Sequence, residues 1–224
     1  MKPRTPLVEN GSYLAVCVGV LAVGEQYVDR SAFGGRSGYE SQIVFVFEFP
    51  TEIGEDGKPK QLNKDVNATS APNGSLYAIM KAWNSREYTR EQLEEADLND
   101  QLGKPCQVTV SVSESGYSRV SAVAAVPKGI PAPKTETPFI CFNVEEWDDA
   151  VFAALPEWAQ NKINNSTQYQ KQHAPTDIVA DTITPAAKTV TGGQAWPTVS
   201  PGAGGAPFCD LTPLRVPHTA TPIS

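Results

Sequence analysis

The chain has 224 residues and 24.1 kDa, with 18 Lys+Arg against 25 Asp+Glu, a net charge of −7 and a pI near 4.9. Apolar residues make up 40%, enough for one ordinary core, so a wholly disordered chain is excluded. A generally basic nucleic-acid coat is excluded too, though not a local basic groove, and no apolar run reaches the roughly 18–20 residues of a membrane helix.

The start, Met1-Lys2-Pro3-Arg4, is basic and 14–24 is apolar, the outline of a secretory signal. Glu9, Asn10 and Ser12 between them, and the lack of a small-residue cleavage site, favour a strand over 13–23 instead. That strand is apolar on both faces and is expected to be central, with Gly19 and Gly24 marking a bulge and its end. Residues 25–41 read as a loop or a long flexible hairpin. Over 42–49, Phe45, Phe47 and Phe49 alternate with Val44, Val46 and Glu48, a strand that Pro50 ends. Glu55-Asp56-Gly57-Lys58 is a hairpin turn, and 61–69 a polar third strand.

Ser75 is the expected N-cap of a helix whose Leu76, Ile79, Met80 and Trp83 share one face. Thr89 and Gln92 make a capping box for a short acidic helix over 90–96. Strands over 106–112 and 117–126 follow, joined by a turn at 113–116. Five strands with a helix before the fourth is the element list of an OB-fold barrel. A small α+β sheet packed on a helix has the same inventory. The expectation is a mainly β, OB-like five-stranded barrel over 1–128.

Behind it, 129–142 reads as a Pro-rich linker. Residues 143–171 read as an acidic amphipathic segment, two short helices around Leu155-Pro156. Residues 172–224 hold 8 of the 19 prolines with abundant Thr, Ala and Gly, and are expected to be disordered. Residues 1–134 carry a net −2 and 135–224 a net −5, so the excess acid lies behind the barrel.

The chemistry that is missing narrows the function. His173 and His218 both lie in the expected tail, which excludes a Ser-His-Asp or Cys-His site in the barrel. There is no phosphate-binding P-loop, no dinucleotide fingerprint and no His-Glu-x-x-His. Gly34-Gly35-Arg36-Ser37-Gly38 is glycine-rich but precedes a strand, the wrong context for a phosphate cradle. Cys17, Cys106, Cys141 and Cys209 form no zinc signature; Cys17 and Cys106 read as small core residues in a reduced compartment. Glu94, Glu95, Asp97 and Asp100 admit a metal-nuclease reading, but their spacing suits a solvated helix face. No catalytic residue, metal or cofactor is expected.

The positive signal is cations interleaved with aromatics: Tyr27, Arg30, Phe33, Arg36 and Tyr39, then Lys58, Lys60 and Lys64, with Tyr117 and Arg119 at the last hairpin. Single-stranded nucleic acid is held by this mixture, cations on phosphates and rings on bases. The competing reading packs the loop aromatics on the sheet and leaves the lysines to solubilise it. Phe45, Phe47, Phe49 and Trp83 read as core rather than as a stacking platform. Trp147, Phe152 and Trp158, beside Glu145, Glu146, Asp148 and Asp149, are the candidate partner-docking residues.

Several units occur in a fixed order: Gly11-Ser12-Tyr13-Leu14-Ala15, Val44-Phe45-Val46-Phe47-Glu48-Phe49-Pro50, Leu76-Tyr77 through Trp83, Tyr88-Thr89 with Glu94, Leu102-Gly103-Lys104-Pro105-Cys106, Val126-Pro127-Lys128-Gly129, and Leu155-Pro156-Glu157-Trp158 with Lys162-Ile163. Over 11–170 this pattern resembles a family of small tailed-bacteriophage proteins found among replication and recombination genes and described as single-stranded DNA-binding-like. The resemblance implies a non-enzymatic DNA binder in the cytoplasm of an infected host. Its partners would be single-stranded DNA and phage replication or recombination proteins. No membrane partner is expected, and barrels of this kind often pair into a homo-oligomer through an edge strand. The alternative is an adaptor docking on a recombinase or host enzyme through 143–170. Gln61-Leu62-Asn63-Lys64-Asp65-Val66-Asn67 departs from the more basic, aromatic strand expected there.

Overall fold

An 18-residue strand, β1 (Gly11–Val28), organises the sheet of the computed structural model, which describes residues 7–173 and 214–216. β2 (Gly38–Ile53) and β3 (Pro59–Asn67) complete a meander. Then come α1 (Ser75–Asn84), α2 (Arg90–Glu95), β4 (Pro105–Val112), β5 (Ser118–Ala124) and β6 (Ile140–Asn143). Three short helices close the described body: α3 (Asp149–Ala154), α4 (Glu157–Asn164) and α5 (Thr167–Gln172). The protein is mainly β. Among the described residues no helix is long and apolar enough to cross a membrane.

The strand order is β3-β2-β1-β4-β5, with β6 also on β1. On the edge of β1 away from β2, Gly11–Val16 pairs antiparallel with β4, and Gly19–Ala22 pairs in parallel with β6. Register shifts at Cys17/Gly19 and Ala22/Gly24 bend the strand between these neighbours. Gly19 is required by close packing: a Cβ there would lie 2.9 Å from Val46 Cγ2.

β1 is apolar on both faces because both are covered. One face carries the main core. Phe45, Phe47 and Phe49 are fully buried under Leu76, Ile79, Met80 and Trp83 of α1. The Trp83 ring meets Phe45 at 5.9 Å and Phe47 at 5.5 Å, and its Nε1 donates to Pro105 O at 3.1 Å. The other face, Leu21, Val23 and Val44, is buried under Phe142, Val144, Leu155, Ala159 and Ile163.

Local signals explain the helix ends. The Thr89–Gln92 capping box forms, with bonds of 3.2 and 3.0 Å. α1 differs: Gly74 is its N-cap, and Ser75 Oγ instead accepts the Asn67 amide at 2.8 Å, tying the helix to β3. Pro156 is the N-cap of α4, and Ser166 caps α5, a third helix where two are expected.

Three further expectations are modified. The sheet is open: among the described residues no backbone ladder joins β3 to β5, where a five-stranded barrel would close. Across the gap, Lys64 Nζ donates to Val120 O at 2.9 Å. The 129–142 segment is more than a spacer. Thr135 and Thr137 hydroxyls donate to Glu48, which is 1% exposed, and the segment ends in β6. The disorder expected over 172–224 does not hold for 214–216: Leu214 and Val216 are each 2% exposed in the main core. Residues 174–213 and 217–224 lie outside the described residues.

The Glu48 contact is testable. Gln61 Nε2 adds a third donor to its carboxylate at 3.3 Å. Glu48→Ala strands these donors, each costing about 1–3 kcal/mol if left unsatisfied. We expect a lower urea midpoint and faster amide exchange over 135–137; unchanged exchange there would mean that Glu48 does not hold the strap.

Candidate nucleic-acid interface

Residues 25–41 form a projecting hairpin rather than a loose loop. The ladder continues through Glu25↔Ser41, Gln26↔Glu40, Tyr27↔Tyr39 and Val28↔Gly38. A 3-10 turn, Ser31–Phe33, lies at the tip. Tyr27 and Tyr39 sit directly opposite each other, 61% and 66% exposed, with ring centroids 5.4 Å apart at 65°. Gln26 faces the helical module, its Nε2 donating to Lys162 O at 3.1 Å. Strand alternation therefore turns Tyr27 to the opposite side.

The tip is built by side chain–backbone bonds. Asp29 Oδ1 accepts from Ser31 N at 2.9 Å and from Ser37 Oγ at 2.8 Å, and Ser37 Oγ accepts the Arg30 amide at 2.9 Å. Gly34 takes φ +67, which only glycine adopts without cost. The Ser31 and Ser37 bonds hold the Asp29 carboxyl down to about 2. The sign follows from linkage: this support is fully present above the ordinary value near 4 and is lost as pH falls through about 2. A carboxyl-detected titration of Asp29 should show that low midpoint; a midpoint near 4 would mean the tip bonds do not persist in solution.

One arm cation is already paired. Arg30 is clamped by Glu40 through two bonds, Nη2 to Oε2 at 2.7 Å, and this pairing lowers the Glu40 carboxyl. Arg36 is exposed at the tip. Phe33 ends the 3-10 turn.

The remaining candidates lie elsewhere. Lys58 belongs to the β2–β3 turn, where Gly54 N donates to Lys58 O at 2.8 Å, and Lys60 pairs with Phe49. Fourteen strand steps separate Tyr39 from Ile53, roughly 45 Å along the strand path, so these lysines occupy the other end of β2. Tyr117 (50% exposed) and Arg119 belong to the β4–β5 hairpin, at that same far end by the Gly11↔Val110 register. Lys64 is spent on the β3–β5 gap. The ten residues thus fall into an arm group, a far-end group and one bridging lysine.

The outer face of β2 and β3 is not open. Val44 and Val46 are buried, Glu48 holds the 135–137 strap, and Asp65 is paired with Lys162 of α4 at 2.6 Å. Trp147, Phe152 and Trp158 are half-buried against this second core. Trp147 meets Phe152 at 4.6 Å and Phe142 at 5.4 Å, so much of the aromatic surface of the docking candidates is used internally.

The other chemistry-bearing residues have structural roles. Glu94 accepts from Ser70 and Arg90, and Asp97 caps the 3-10 turn Leu98–Gln101. Among the described residues no group of three or more His, Cys, Asp or Glu is placed to hold a metal ion. Burial pushes the Cys17 thiol up to about 12 and raises Cys106 as well, leaving both protonated. Cys209 lies outside the described residues.

Two of the ordered sequence units have structural roles. In Leu102-Gly103-Lys104-Pro105-Cys106, Gly103 N donates to Cys17 O at 2.8 Å at φ +72, and a Cβ there would lie 2.9 Å from Phe139. In Leu155-Pro156-Glu157-Trp158, Leu155 O accepts Gln160 Nε2 at 2.8 Å at the head of α4.

No family model, curated protein or solved structure matches the chain.

Proposed function

We propose that the protein is a non-enzymatic single-stranded DNA-binding protein of bacteriophage type, acting in replication or recombination in the host cytoplasm. The observation that carries this is the exposed Tyr27–Tyr39 pair on a projecting hairpin with Arg36 at its tip. Rings that are not needed for packing are available to stack bases, and the nearby cation to meet a phosphate. The ordered units over 11–170 add the family resemblance. We read the sheet as an OB-like, partly open barrel, because β1 pairs with both β2 and β4, α1 lies between β3 and β4, and Lys64 reaches β5. In that fold the β1–β2 loop is one of the binding elements.

The module over 135–164 covers the β2–β3 face, so the strand is held by the arm rather than across the sheet. The test is fluorescence anisotropy with a labelled oligo-dT of about 30 nucleotides, against duplex competitor, over a salt series. Binding should favour the single strand and weaken with salt, and Arg36→Ala should flatten the log–log salt slope by about 0.7, the contribution of one phosphate on a single strand. No binding at low salt would overturn this reading and leave the adaptor role through 143–170.

A further inference from the structure

Three residues far along the chain return to the body. Leu214 and Val216 are buried in the main core, while Arg215 between them is exposed. Buried, exposed, buried is the pattern of an extended chain reading alternate pockets. Leu214 is held at both backbone groups: its N–H donates to Asp97 Oδ1 at 3.0 Å, and its carbonyl accepts the Leu98 amide at 3.0 Å. Pro213 and Pro217 flank the segment. Pro217 keeps Val216 out of the helical region, and neither proline offers an N–H to extend the pairing. The segment is joined to α5 only through residues 174–213.

We propose that 214–216 is a detachable docking motif, and that the cleft at Asp97–Leu98 is a peptide-binding site for an extended Leu-x-Val segment, filled by the chain's own C-terminal part. One main-chain bond and one carboxylate bond supply the hold, and burial of the Leu214 and Val216 side chains the selectivity, the logic of strand-like peptide recognition. Asp97 serves twice, since the same oxygen also caps the 3-10 turn through Asn99 N at 2.9 Å. The receiving site is thereby kept in shape by a bond that does not depend on the occupant. Arg215 borders a small cleft with Gln168, Gly24 and Ser41. The motif thus docks beside α5 and the base of the arm.

The experiment uses the full chain. A fluorescent peptide spanning 210–220 is titrated into wild type and into the Leu214→Asp, Val216→Asp double variant. A motif on the same chain competes intramolecularly, so it excludes added peptide. The variant should bind the peptide at least tenfold more tightly than wild type, and a peptide carrying both aspartates should bind neither. Equal binding to both proteins, or to neither, overturns the proposal. Amide exchange on the unaltered chain guards against a variant that fails to fold. The Leu98 amide should exchange through an opening that leaves the Phe45 and Phe47 amides protected. Exchange of Leu98 only together with those amides would make the segment an inseparable part of the core and overturn detachment. A wild-type dimer that the double variant converts to monomer would place a neighbouring chain in the cleft and overturn the self-docked assignment.

Discussion

Replacing Tyr27 and Tyr39 together with alanine is expected to weaken oligo-dT binding by at least about tenfold, since each stacked base contributes about 1–3 kcal/mol. The fold should hardly notice. Both rings are more than half exposed, and their mutual contact is an edge pair of the kind that contributes about 0.5–1.5 kcal/mol. The informative comparison is Arg30→Ala. Arg30 is clamped to Glu40, so its loss acts through the shape of the arm, whereas Arg36→Ala acts through charge alone. Competition anisotropy beside a thermal melt separates these. Unchanged affinity in the double tyrosine variant, with the melt preserved, would remove the arm from the interface.

Trp83→Ala should be the most damaging single change in the main core. The ring packs against Phe45 and Phe47, and its N–H satisfies Pro105 O at the start of β4. Large aromatic-to-alanine changes in a core cost about 3–5 kcal/mol, a large share of the roughly 5–15 kcal/mol that holds a domain together. Trp83→Phe keeps a ring but loses the donor, so its cost should stay nearer the about 1–3 kcal/mol of an unsatisfied carbonyl. Urea denaturation measures both. Equal, small effects would mean that α1 is not packed on the phenylalanine face.

How much of this could be read from the residues depended on the range of the interaction. Period and capping are local, so the phenylalanine strand, the α1 face and the Thr89 box were legible. β1 read as central because it is apolar on both sides, yet nothing in the sequence said what covers its second face. That cover comes from 140–163, more than a hundred residues away. The burial of Glu48 is not legible from its strand, because its threonine partners lie in a proline-rich stretch that resembles a spacer. Leu214 and Val216 were hidden by composition: two apolar residues in a Thr-, Pro- and Gly-rich region do not signal burial. At the candidate site, Tyr27, Tyr39 and Arg36 are exposed. The pairing of Arg30 and Lys64 is not legible there, since residue type says nothing of a bond to Glu40 or to Val120 O.

The parallel pairing of β6 has a consequence for biosynthesis. Gly19 finds its partner Ile140 only after some 120 further residues have been made, roughly 6–24 s at ribosomal rates of about 5–20 residues per second. Until then one edge of β1 from Gly19 to Ala22 lacks a neighbour, and Leu21 lacks its cover. An unpaired apolar edge is a template for the wrong strand. Translation pauses before residue 140, or truncation there, should therefore send nascent chains toward aggregation or chaperones, whereas stopping beyond residue 164 should spare them.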